Sequence, residues 1–139
     1  TENEVIETTL TGAGAILLIA RDLEKAMLRK LIRKAHQCEI DPVVEIHDEQ
    51  DFEKIRDEKE IIIGINNRNL ATLTTDVFHA EKLLEKIDPT MTLIAESAFT
   101  KSQELLPYWR KIDAVLIGTT FLISRNPQKT LLSFTCPQL

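Results

Sequence analysis

The stretch VVEIHDEQDFEKIRDEKEIIIGI, residues 43–65, decides the fold. It opens on a short apolar run, VVEI at 43–46, and closes on another, IIIGI at 61–65. Both have strand length, and mostly continuous apolar runs of this size mark strands buried on both faces. Between them, Asp48 can cap a short helix that turns Phe52 and Ile55 inward. Strand, helix, strand reads as one βαβ unit, with parallel strands and a right-handed crossover.

The same alternation continues on both sides. AILLI at 15–19, TLIAE at 92–96 and AVLIG at 114–118 read as further strands. Asp22 is expected to cap a helix with Leu23, Met27, Leu31, Ile32 and Ala35 on its buried stripe. Thr74 or Thr75 can cap another with Ala80, Leu83, Leu84 and Ile87 inward, ended by Asp88-Pro89. A fourth starts at Thr100 or Ser102 and carries Leu105, Leu106 and Trp109, and Pro107 should shorten or kink it. Pro127 suits the first turn of a last helix through Leu131 and Leu132. With a helix before the first run, the order is one helix and then five βα units. No linker divides them, so residues 1–139 are expected to form a single domain. Two α/β architectures fit. One is a partial TIM (βα)8 barrel, a fold that takes about 250 residues when whole. The other is an open doubly wound five-stranded sheet. Composition and periodicity do not choose between them.

The composition narrows the class. Hydrophobic residues make up 43% of the 139, enough for a core and too many for a disordered chain. The net charge of −5 gives no support for nucleic-acid binding, which shows as a basic patch. Cys38 and Cys136 lie far apart and the three histidines, His36, His47 and His79, do not cluster, so neither a disulfide framework nor a metal site is expected. No apolar run approaches the ~20 residues needed to span a bilayer. TENEVIETTL at the start is polar and acidic, unlike a targeting peptide, and the cytoplasm is the expected location.

In parallel α/β folds the chemistry sits at the C-terminal ends of the strands. Glu45 stands among Val43, Val44 and Ile46, where a carboxylate costs several kcal/mol unless paired or protonated. Burial would raise its pKa toward neutrality, which suits a general acid or base; a strand-end Glu turned to water is the plain alternative. Glu96 repeats the pattern after Leu93, Ile94 and Ala95, and two such carboxylates can converge on one pocket. Asn66 ends a strand in which Gly64 leaves room, and its amide can bind a ligand or form a turn. Arg68 follows, as an anion partner or a solvated loop charge. Gly118-Thr119-Thr120 offers backbone N–H groups and hydroxyls to a phosphate. His47 shares the strand face of Glu45, or already lies in the loop.

These endings resemble one family. VVEIHDE, IIIGINNRNL, LIAES and VLIGTTFL occur in the order and near the spacing found in indole-3-glycerol phosphate synthase. AGAILLIARDL, at 13–23, is similar to that family's fourth strand and the start of the next helix. The resemblance runs from about Glu2 to Leu132 and implies strands four to eight of a (βα)8 barrel. It implies a lyase of tryptophan biosynthesis, which closes the ring of 1-(2-carboxyphenylamino)-1-deoxyribulose 5-phosphate with loss of CO2 and water. By matched motif, Glu45 resembles the general base or proton shuttle. Glu96 resembles the glutamate lining the anthranilate pocket. Asn66, Arg68 and Ser97 are implied to bind substrate, and Ala98, Gly118 and Thr119 the phosphate. No cofactor and no metal are implied.

The departures are specific. The family's first three strands, with its general-acid lysine and two further substrate-binding residues, have no counterpart in these 139 residues. Lys59 and Lys111 precede strands and belong at the other end of the sheet. Ala98 stands where the family has a glycine, and Thr119 supplies the eighth-strand hydroxyl. The implied partners are the phosphorylated substrate and either a second copy or a complementary N-terminal barrel segment, with no nucleic acid and no membrane.

Overall fold

A computed structural model describes residues 1–67 and 83–135 of the chain. The strands are β1 (Ala15–Ile19), β2 (Asp41–Ile46), β3 (Ile62–Asn66), β4 (Thr92–Glu96) and β5 (Ala114–Leu116). The helices are α1 (Glu2–Leu10), α2 (Lys25–Gln37), α3 (Glu49–Ile55), α4 (Thr119–Leu122) and α5 (Pro127–Thr135), with 3-10 segments at Ala20–Asp22 and Ser102–Tyr108. Each expected run contains a strand. The last is shorter than AVLIG because Gly118 already begins the next helix, its carbonyl accepting from the N–H groups of Phe121 and Leu122.

All four strand pairings are parallel, and the order in the sheet is β1-β2-β3-β4-β5. A doubly wound sheet reverses its strand order at a switch point. This one runs in sequence order throughout, as consecutive units of a barrel do, which excludes the doubly wound alternative.

Parallel register aligns side chains into rows. Leu18, Val44, Ile63 and Leu93 form one row, and Ile46, Ile65 and Ala95 the next, all buried. Leu28, Leu31, Ile32 and Ala35 of α2, Phe52 and Ile55 of α3, and Leu105 and Tyr108 close the core with them. Strand alternation puts Leu17, Ile19, Val43, Ile62, Ile94 and Leu116 on the other face. None of these six is fully buried; Leu17 is 50% exposed and Leu116 55%.

Local chemistry corrects some details. Asp22 does not cap α2. It ends a 3-10 turn in which Leu23 N–H bonds Ala20 O, and the chain stays extended through Glu24, so the helix starts at Lys25. The buried stripe therefore uses Leu28 in place of Met27, which is exposed. At the other end of α2, Glu39 takes φ 57, and Ile40 and Glu39 donate to Ala35 O and His36 O in a Schellman cap. Asp48 caps α3 as expected, accepting from Asp51 N–H at 3.0 Å. Around Pro107 the chain forms a 3-10 helix instead of an α-helix, and Leu106 and Trp109 are exposed. The caps at Thr74 or Thr75, with Ala80, His79 and Cys136, lie outside the described residues, whereas Leu83 and Ile87 are buried as expected. At the start, Thr1 and Glu4 form a capping box for α1, Val5 enters the core, and Glu2 pairs with Lys30 of α2. Among the described residues no helix is long and apolar enough to cross a membrane.

Candidate functional site

Parallel strands bring their C-terminal ends to one rim. Glu45 is the penultimate residue of β2, Asn66 ends β3 and Glu96 ends β4. Ser97 and Ala98 follow β4, and Gly118 and Thr119 follow β5. Arg68 lies outside the described residues.

Glu45, Gly64 and Ile94 stand in one register row, and Asn66, Glu96 and Leu116 in the next. Glu96 thus reaches Glu45 only by leaning diagonally over β3. Gly64 makes that possible. A Cβ at this position would lie 2.1 Å from Glu96 Oε1 and 2.9 Å from its Cδ. Both carboxylates are buried, at 6% and 5% exposure, and they hydrogen-bond each other. Burial, then the charge of Glu45 and that bond, push the Glu96 pKa up to about 7. Out of water and beside a second carboxylate, Glu96 keeps its proton up to about neutral pH, the range in which an acid–base group works.

A second polar group stands behind Glu45. His47 is buried, with Nε2 3.4 Å from Glu45 Oε1 and Nδ1 3.8 Å from Asp51 Oδ2. Asp51 is also buried and accepts from His47 N–H at 3.1 Å. Arg21 Nε lies 3.9 Å and Lys54 Nζ 3.5 Å from the Asp51 carboxylate. Burial and the Arg21 charge lower the His47 pKa, against the opposing pull of Glu45, Asp51 and Asp48. Sequence reasoning missed Asp51, Arg21 and Lys54. The polar string HDEQD looks solvated, and only the spacing from the Asp48 cap hinted that Asp51 sits in the first helical turn. Lys54 is a lysine brought toward this rim from α3, where Ala20 O accepts from its Nζ at 2.6 Å.

On the β4–β5 side, Ser97 and Ala98 both adopt left-handed backbone, φ 63 and 72. Ser97 N–H donates to Leu116 O, and Thr120 Oγ1 donates to Phe99 O at 2.6 Å. The loops so joined enclose a cleft of ≈ 330 Å³ lined by Ser97, Ala98, Gly118 and Thr119, among others. A Cβ on Gly118 would meet nothing within 4 Å, so open space lies over its backbone. Asn67, not singled out by sequence, closes the β3–β4 end: its N–H and Nδ2 both donate to Glu96 O, and Tyr108 OH donates to its Oδ1 at 3.2 Å.

Comparison with known proteins agrees with this geometry. The sequence profile of the indole-3-glycerol phosphate synthase family matches residues 1–134. The indole-3-glycerol phosphate synthase of Campylobacter jejuni subsp. doylei is 38% identical over 132 residues, covering 94% of this chain and 51% of that protein. That of Acetivibrio thermocellus is 36% identical over 133 residues, with 94% and 51% covered. That of Nautilia profundicola is 33% identical over 133 residues, with 95% and 52% covered. The chain spans about half the length of the curated relatives it matches. On the profile match across nearly all its residues, the chain belongs to the indole-3-glycerol phosphate synthase family.

Proposed function

We propose that these residues form the C-terminal five βα units of an indole-3-glycerol phosphate synthase. The reaction converts 1-(2-carboxyphenylamino)-1-deoxyribulose 5-phosphate to indole-3-glycerol phosphate, with loss of CO2 and water. The supporting observation is the buried Glu45–Glu96 pair, which meets over Gly64 at the rim that also carries the Ser97–Gly118 cleft. In this reading Glu45 moves protons during ring closure and aromatisation. Glu96 lines the anthranilate pocket; Asn66, Arg68 and Ser97 hold the substrate; Ala98, Gly118 and Thr119 receive its phosphate.

Dehydration needs an acid that protonates the departing hydroxyl, and a positioned acid contributes ~10²–10⁴-fold. The family's third-strand lysine has no counterpart here, and Lys54 is engaged by Ala20 O and Asp51. The chain therefore works with a complementary segment supplying strands one to three, and not alone. A fluorescence assay for the indole product tests this, using purified chain with and without such a segment. Product only in the mixture supports the reading; turnover by the chain alone overturns the need for the segment, and none in either overturns the catalytic role.

The uncovered sheet face favours a second reading, a non-catalytic phosphate-binding or assembly module of synthase descent. It predicts association with the segment, or with a second copy, and no product.

A further inference from the structure

Asn67, just past the end of β3, is only 2% exposed, and both ends of its amide are used. Its backbone N–H and its Nδ2 donate to the same acceptor, Glu96 O, at 3.0 and 3.2 Å. A carbonyl oxygen only accepts, so the amide must turn its NH2 group toward Glu96 and its Oδ1 away. Oδ1 then needs a donor, and Tyr108 OH supplies it at 3.2 Å. Tyr108 is itself fully buried, and its ring meets that of Phe99 in a T-shaped contact, with centroids 5.5 Å apart. Phe99 O in turn accepts from Thr120 Oγ1. The segment held in this way contains two consecutive left-handed residues, Ser97 and Ala98, at φ 63 and 72. Neither is a glycine, and such backbone persists only where its surroundings over-determine it. The same segment carries the Glu96 carboxylate at one end and lines the Ser97–Gly118 cleft beyond it.

We propose that Asn67 is a positioning residue whose amide, oriented by Tyr108, fixes the C-terminal end of β4 and thereby holds both the Glu96 carboxylate over Gly64 and the Ser97–Ala98 turn that lines the cleft. Two parts of the site then share one support, and that support is anchored in the 3-10 segment Ser102–Tyr108. The use of this clamp in ring closure rests on the function proposed above. The positioning itself is a property of the chain and is measured without turnover.

The experiment joins an NMR titration of side-chain carboxyl carbons, from pH 4 to 9, with urea unfolding, both on the full chain. In the wild type the Glu96 carboxyl titrates near pH 7. In Asn67→Ala the Nδ2 bond is lost, the strand end relaxes and the carboxyl meets more water. Its proton affinity should fall roughly three- to tenfold, the range set by one hydrogen bond. Tyr108→Phe keeps the ring against Phe99 and removes only the donor to Oδ1, so it should move Glu96 in the same direction and by less. It also keeps the test open if Asn67→Ala does not fold. The turn is read by a double-mutant cycle. Ala98→Gly should raise the folding constant roughly two- to fivefold in the wild type, and hardly at all in Asn67→Ala or Tyr108→Phe, where the strained turn is free to relax. Leu31→Ala, a core truncation in α2, should lower stability and leave both readouts in place. A Glu96 titration unmoved in both variants, an equal gain from Ala98→Gly in every background, or the same shifts in Leu31→Ala would each overturn the proposal. Shifts as expected beside a failed complementation assay would leave the clamp standing and remove only its catalytic use.

Discussion

Both faces of the sheet carry aliphatic residues, in opposite circumstances. On one, Leu18, Val44, Ile63 and Leu93 lie under helices and are buried. On the other, Leu17 and Leu116 are half wetted, and Val43, Ile62 and Ile94 are only partly covered. An apolar residue held in water forgoes about 25 cal/mol for each Å² left uncovered. Strand sequences buried on both faces are thus written for a closed structure, and this sheet closes one side of it. In the function proposed above, further barrel strands cover this inner face, and the Glu45–Glu96 rim lies at its mouth.

The contrast can be broken by substitution. Ile63→Ala on the covered face should cost about 2–5 kcal/mol, as core truncations do, while Leu17→Ala and Leu116→Ala should each cost less than about 1 kcal/mol. Urea unfolding of the three variants measures this. A costly Leu17→Ala would mean that the inner face is covered in solution, by a second copy or by another segment. If a segment supplying strands one to three is added, the Leu17 cost should rise toward the Ile63 value.

The rim sharpens the contrast through pH. The folded Glu96 pKa is about 7 against an ordinary 4.5, so the folded chain holds a proton that the unfolded chain has released. Stability is full below pH 4.5 on this account and falls as the pH rises through 7. The loss is about 2–3 kcal/mol at most, allowing for water at the rim. His47, whose pKa is lowered, acts in the opposite sense and removes stability as the pH falls below its ordinary 6.5. Thermal unfolding at pH 5.5 and 8, repeated in Glu96→Gln, separates them, because the variant should lose the decline toward pH 8 and keep the His47 slope.

Two smaller effects complete the series. Gly64→Ala pushes only the flexible end of Glu96, so it should cost about 1 kcal/mol or less, yet move the Glu96 carboxyl back toward the ordinary range as the pair separates. A carboxyl titration reads this directly, and an unmoved Glu96 would mean that the pair does not depend on the bare backbone. Ala98→Gly should gain about 0.5–1 kcal/mol in denaturant, because φ 72 strains any residue with a Cβ.

Strand positions were legible because continuous apolar runs bounded by charge have few other readings, and Glu45 and Glu96 stood out as carboxylates inside them. The order of the strands was not, since parallel units in either architecture have the same local pattern; it came from pairing between distant residues. Asp51 and Asn67 escaped for a related reason. Each sits in a polar string that reads as surface, and each meets a partner distant in sequence, Arg21 for Asp51 and Tyr108 for Asn67. Met27 gains an i, i+4 partner in Leu23 only if the helix begins at Asp22; with Leu23 extended, the buried arc is Leu28, Leu31, Ile32 and Ala35, and Met27 lies at its edge.

Gly64 also fixes an order of events for sequence change. While a glutamate occupies position 96, a side chain at 64 displaces its carboxylate, so the path of drift that meets no clash shortens residue 96 first. A Glu96→Ser background would accept Gly64→Ala or Gly64→Ser with little further change, whereas the reverse order passes through an intermediate in which the Glu96 carboxylate is displaced. Substitutions at the two positions will therefore be non-additive. A laboratory lineage that loses the carboxylate first can fill the gap, and once it is filled, regaining the glutamate alone will no longer restore the pair.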